Sequence, residues 1–188
     1  NAWNGVLNGT VIDGQGHSIK NMTVNDETLN AAGFISYNAS SVTIKNLVFD
    51  NAFVKTKKAN QTYAGVVMGK NYVKTTFENI TVKNSRVENN WQSGGILGFA
   101  ETNAQTFKNC TVENTFVGGE NATSGSLFGL GDVDVNVINC VAKNVDLYTD
   151  GLTWNSTQKK ENIFWVGHLY SKTLAVTSST EENVNVVK

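Results

Sequence analysis

Few residues in this chain combine the type and the spacing that chemistry needs. Cys110 and Cys140 could bridge or bind a metal, His17 and His168 could act as bases, and Asp132 with Asp134 could hold calcium. Each has a plainer reading. Stacked on neighbouring strands, the two cysteines would sit about 4.8 Å apart in Cα, within reach of a disulfide, but parallel Cβ vectors suit that bond poorly, so buried free thiols are preferred over a bridge. Each histidine stands alone without zinc-site spacing, and both are expected on turns or at the surface. Calcium wants six or more oxygens, and only two acids stand here, so Asp132 and Asp134 are expected to be solvated. Gly65 to Gly69 is too short for a phosphate loop, and Asn71 follows Lys70 where Ser or Thr is required. Gly14-Gln15-Gly16 lacks the third glycine of a dinucleotide site and reads as a turn. No catalytic residue, metal ligand or cofactor is assigned on these grounds.

The elements that would position any site come from a repeat. Thr75 to Val87 can be laid on Gln105 to Val117, thirty places along, and the same register extends to Val42–Val54, Val135–Leu147 and, more loosely, His17–Leu29. A fixed period of this length points to a solenoid. One apolar column runs Ile19, Ile44, Phe77, Phe107, Val137, and another Val24, Phe49, Val82, Val112, Ala142. Alternate apolar positions rich in Val, Ile and Phe mark strands with one buried face. The alternation breaks at Asn21, Asn46, Asn79, Asn109, Asn139 and again at Asp26, Asn51, Asn84, Asn114, Asn144. Asparagine tolerates left-handed backbone, so these are read as structural corners whose amides bond from coil to coil and line the edge of the core. A glycine-bounded strand precedes each later copy: Gly33 to Ser36, Gly65 to Gly69, Gly95 to Gly98, Gly125 to Gly129.

The predicted fold is therefore all-β, a β-solenoid of about five to six coils with three short parallel sheets. The chain reads as one domain, with repeats over about 5–32, 33–64, 65–94, 95–124 and 125–148, followed over 149–188 by a long loop, a last coil and a C-terminal cap. A leucine-rich horseshoe is disfavoured, because these copies offer Val, Phe and Ile and no helical stretch. Gly95-Ile96-Leu97-Gly98, with looser matches at Gly65–Gly69 and Gly125–Gly129, resembles the GLUG-type repeats of bacterial surface proteins, and the lead-in Asn8 to Asn21 looks like that of such regions. The resemblance implies a right-handed parallel β-helix, pectin-lyase-like, in an exported protein, often an adhesin of gut-type Gram-negative bacteria.

Composition narrows the partners. Only 16% of residues are charged, the formal net charge is -1, and Arg86 is the sole arginine, which gives no electrostatic reason to bind nucleic acid. No apolar run is long enough for a membrane span. The missing leader suits a trimmed mature chain, and the expected location is extracellular or on the bacterial surface. The leading expectation is a non-catalytic module for adhesion, for glycan or host-protein binding, or a rigid spacer. Its alternative is a polysaccharide lyase or glycoside hydrolase, which would need clustered outward carboxylates that the columns do not show. Tyr72, Trp91 and Trp154 are the loop aromatics expected to contact a ligand.

Overall fold

The computed structural model describes residues 10–57, 61–148, 165–170 and 172–187. The first coil holds β1 (Val11–Asp13), β2 (Ser18–Lys20), β3 (Thr23–Asn25), β4 (Ala31–Ala32) and β5 (Ile35–Asn38). The second holds β6 (Val42–Asp50), β7 (Phe53–Thr56), β8 (Tyr63–Gly65) and β9 (Met68–Asn71); the third holds β10 (Thr75–Lys83), β11 (Arg86–Asn89), β12 (Gln92–Gly94) and β13 (Leu97–Ala100). The fourth holds β14 (Gln105–Lys108), β15 (Thr111–Gly118), β16 (Thr123–Gly125) and β17 (Phe128–Gly131). Then come β18 (Val135–Ile138), β19 (Val141–Tyr148) and β20 (Val166–Leu169), and last β21 (Leu174–Thr177) and β22 (Thr180–Val187). Among the described residues every pairing is parallel and joins one coil to the next, forming a 13-stranded, a 4-stranded and a 5-stranded sheet. This is a β-solenoid of about four full turns, with β18 to β22 continuing the stack.

Like lies over like through most of the chain. Phe77 pairs with Phe107, Val82 with Val112 and Val87 with Val117. The rings of Phe77 and Phe107 stack with centroids 5.1 Å apart and planes 8° apart, both fully buried. The first copy departs from the expected register: Ile19 pairs with Phe49 and Val24 with Val54, while Ile12 takes the place beside Ile44. The cause is the lead-in, where β1 supplies a whole strand and the turn at Gly14–Gly16 stands in for the first asparagine corner. Asp26, expected in an asparagine column, instead accepts the backbone N–H of Thr28 at 2.9 Å in a local turn. The glycine register also shifts by one in the third coil, where Gly94, not Gly95, pairs with Gly65 and Gly125.

The two asparagine ladders exist, but on the outside. Asn79 Nδ2 donates to Asn46 Oδ1 at 2.8 Å, Asn109 to Asn79 at 3.0 Å and Asn139 to Asn109 at 3.3 Å, while Asn46 donates to Asp13 at 2.9 Å. In the second ladder Asn51 donates to Asn21, Asn114 to Asn84 and Asn144 to Asn114, with Asn84 crossing to Asp50. The eight ladder asparagines from Asn46 to Asn144 all have positive φ, between 48° and 57°. A left-handed residue sets two successive side chains outward, so the core corner falls to the next position: Leu47, Ile80, Cys110, Cys140 in one row and Ala52, Ser85, Thr115, Val145 in the other. Asn109→Ala is expected to cost about 1 kcal/mol more than Asn109→Gly, because only glycine keeps the left-handed angle without strain. Urea unfolding reads this, and equal losses would contradict the corner geometry.

The bends also free backbone N–H groups, which side chains of the next coil accept. Ala52 N donates to Ser85 Oγ at 3.0 Å, Cys110 N to Cys140 Sγ at 3.4 Å and Cys140 N to Ser179 Oγ at 2.9 Å. Cys140 is thus a corner acceptor, and both cysteines are buried free thiols. Burial pushes the Cys110 thiol well above its ordinary value, so it stays protonated and unreactive. A thiol reagent is expected to modify neither cysteine in native buffer and both in denaturant; rapid native labelling would contradict this packing.

Outside, one column alternates in sign at every step: Lys20, Asp50, Lys83, Glu113, Lys143, Glu182. Lys143 and Glu182 approach to 2.9 Å and Lys83 and Asp50 to 3.8 Å. Exposed pairs of this kind add little stability. Slipping the stack by one coil would set like charges opposite one another, so the column works on register.

Candidate ligand-binding groove

Two outward rows meet where the four- and five-stranded sheets adjoin. Ala31, Tyr63, Gln92 and Thr123 form the first. Tyr37, Lys70, Phe99, Leu130 and His168 form the second. Four strand steps give the second row a length of about 19 Å. The sheets come this close because glycines fill the turn between them: a Cβ at Gly69 would lie 2.6 Å from Ala32 N, and one at Gly129 2.6 Å from Ser93 N.

Aromatic rings dominate the groove. Tyr63 stacks on Phe99 with centroids 4.7 Å apart. Lys70 Nζ sits 5.0 Å from the Tyr63 ring, 4.4 Å from Tyr72 and 5.2 Å from Phe99, and pairs with Glu101 at 2.9 Å. Burial pulls the Lys70 ammonium down, but the hydrogen bonds it donates to Glu101 and Tyr72 outweigh it, so its pKa is raised and it stays charged. Burial in turn raises the Tyr63 phenol. At this end Tyr37, Tyr63, Lys70 and Tyr72 border a cleft of about 490 Å³. Toward the other end Trp91, Gln92, Leu130, His168 and Tyr170 border a smaller one of about 60 Å³. His168 meets Tyr170 edge-on at 4.7 Å. Among the described residues five large hydrophobic side chains are exposed, and three of them, Tyr37, Tyr72 and Tyr170, lie along this groove.

Of the aromatics expected to bind, Tyr72 falls at one end and Trp91 at the other; Trp154 lies outside the described residues. The expectation of surface positions holds for His17, which is exposed, but not for His168, which is 5% exposed inside β20. Burial lowers the His168 pKa below 6.5. A folded-state pKa below the unfolded one means that the fold disfavours the charged ring, so stability is full above pH 6.5 and falls as the pH drops through the lowered value. His168→Gln is expected to flatten that part of the acid slope in urea midpoints, and an unchanged slope would contradict it. Tyr37, Phe99 and His168 were missed although a signal marks them: each stands one place after Ser36, Gly98 or Gly167 in the glycine column.

A separate cleft of about 290 Å³ includes Arg86, Glu88, Phe116, Glu120 and Tyr148. Here two carboxylates do share a depression, the arrangement a glycosidase would need. Glu88, however, is bonded by Arg86 Nε at 2.5 Å and paired with Lys55 at 3.6 Å. The Arg86 hydrogen bond holds its pKa below the ordinary carboxylate range, the wrong direction for a general acid. Arg86 itself lies over the Phe116 ring at 3.9 Å. Asp134 is committed structurally, accepting from Thr173 N at 3.0 Å. Among the described residues no cluster of three or more His, Cys, Asp or Glu could hold a metal, and no helix is long and apolar enough to cross a membrane.

Stacked parallel coils with a groove along one edge define the class as a parallel β-solenoid. The family described as right handed beta helix region matches residues 8–181, and the chain belongs to it. No curated protein matches, and no solved structure does.

Proposed function

We propose that this β-helix is a non-catalytic binding module of an exported, surface-displayed protein, and that it holds a glycan chain in the groove between its two glycine-bounded sheets. The observation that carries the reading is the set of aromatic rings along the groove, with Tyr37, Tyr63, Tyr72 and Phe99 toward one end and Trp91 and Tyr170 toward the other. Such rings bury apolar area while their polar edges stay available, and a pyranose presents both an apolar face and a rim of hydroxyls. The rings are held in place, since Lys70 sits among three of them and Glu101 pins Lys70. Neither cleft of the groove has a carboxylate among its described lining residues, which favours holding over cutting. The GLUG-type motif at Gly95–Gly98 supports surface display and an adhesive role.

The test is a glycan array followed by titration of the ligands it selects. Alanine at Tyr63, Tyr72 or Trp91 is expected to weaken binding by about tenfold or more each, the loss typical of a central aromatic contact. An array without a ligand, or one whose ligands bind all three variants unchanged, refutes the glycan reading. Release of reducing ends from the bound polysaccharide would instead establish an enzyme.

A further inference from the structure

The smaller cleft differs from the rest of the groove in one respect: Gln92, which borders it, carries a buried polar atom with no hydrogen-bond partner among the described residues. Gln92 is 6% exposed, and the atom is its Oε1. An amide oxygen left so costs about 1–3 kcal/mol, a penalty that a ligand donor placed there would remove. Trp91, Leu130 and Tyr170 also line the cleft and make it chiefly apolar, and His168, Asn121 and Thr123 complete its described lining. The cavity of about 60 Å³, against roughly 10–15 Å³ for one water-sized occupant, admits a group of about four heavy atoms.

Resting on the glycan-binding reading above, we infer that this cleft is the specificity subsite of the groove and receives the acetamido group of an N-acetylated amino sugar. The acetamido N–H donates to Gln92 Oε1, the methyl group packs against Leu130 and the Trp91 and Tyr170 rings, and the sugar ring continues along the row toward Phe99 and Tyr63. A plain hydroxyl fits this cleft less well, since it fills little of the apolar wall. A free ammonium fits worse, because it would be desolvated with no carboxylate among the described lining residues. Sites built to bond one polar group discriminate strongly against analogues that lack it.

Calorimetric titration of the intact chain with three soluble trimers tests this: triacetylchitotriose, its fully deacetylated counterpart and cellotriose. The acetylated trimer is expected to bind at least about tenfold more tightly than either of the others. Gln92→Leu is expected to abolish that preference, bringing the acetylated trimer down to the affinity of cellotriose for the same variant; Gln92→Glu, which still presents an acceptor oxygen, is expected to retain it. The comparison between trimers needs no variant, so it stands even if Gln92→Leu fails to fold. Equal affinity for triacetylchitotriose and cellotriose overturns the acetamido subsite and leaves the groove as a glycan site. If none of these trimers binds and the array also yields no ligand, both readings fall. A muramyl-containing peptidoglycan fragment and a glycopeptide ending in N-acetylgalactosamine, titrated alongside, identify which natural source of the group the cleft prefers.

Discussion

Gly98→Ala is expected to prevent this chain from folding. A Cβ there would lie 2.6 Å from Ala64 N, 2.6 Å from Gly69 O and 2.8 Å from Ala64 O. All three are backbone atoms of the preceding coil, so no side-chain rotation can make room. The same obstruction recurs at Gly69, Gly129 and Gly167, each within 2.6 Å of backbone, which makes this row the hinge on which the two smaller sheets close. Forcing the coils apart would break ladder bonds on both sides and open the core behind Val66, Ile96 and Leu127, all fully buried. Losses of that kind exceed about 4–5 kcal/mol, against a total stability of about 5–15 kcal/mol for an ordinary domain. Circular dichroism should show no cooperative unfolding transition for Gly98→Ala. Gly16→Ala is the control: nothing lies within 4 Å of its Cβ position, and only the φ of +79° opposes it, so it should fold with a small loss. A Gly98→Ala protein as stable as the wild type would contradict the close approach of the two sheets.

Phe107→Ala should be the most costly of the interior truncations. Phe107 is fully buried, stacks on Phe77 at 5.1 Å and meets Phe128 at 6.3 Å, so it ties the long sheet to the five-stranded one. A solenoid has one coil above and one below, and neither can settle into the void without losing its own pairing. The expected loss is about 3–5 kcal/mol, read as a lower urea midpoint with an unchanged slope. Phe107→Leu fills most of the space and should lose markedly less. Equal losses for the two would mean that the ring is not packed as described.

From Val42 to Leu147 the register of the long sheet was legible in the sequence, because stacking in parallel sets each residue over its counterpart about thirty places on, as with Val82 and Val112. The first coil misled because its corner is a glycine turn, not an asparagine, and an alignment anchored on asparagine slides by one strand. The outward direction of the ladders was not legible either. Periodicity shows that Asn79 and Asn109 share a column, but only the left-handed φ of 52° and 53° decides which way their side chains point. The groove was half visible: Tyr72 and Trp91 stood out as loop aromatics, whereas Tyr37, Phe99 and His168 sit on strands and look like any outward position. What brings them together is the close approach of the two sheets, which depends on the glycine row at Gly69, Gly98, Gly129 and Gly167 and not on any local pattern.

The most direct measurement is a chemical-shift titration of isotope-labelled protein with triacetylchitotriose and, separately, with the strongest ligand from the glycan array. Perturbed amides should trace the two outward rows, Tyr63 and Gln92 on one side and Lys70, Phe99, Leu130 and His168 on the other. The charged column from Lys20 to Glu182 on the long sheet should stay silent. Shifts gathered on that long sheet, with the aromatic rows unmoved, would contradict the groove as the place where this β-helix meets its ligand.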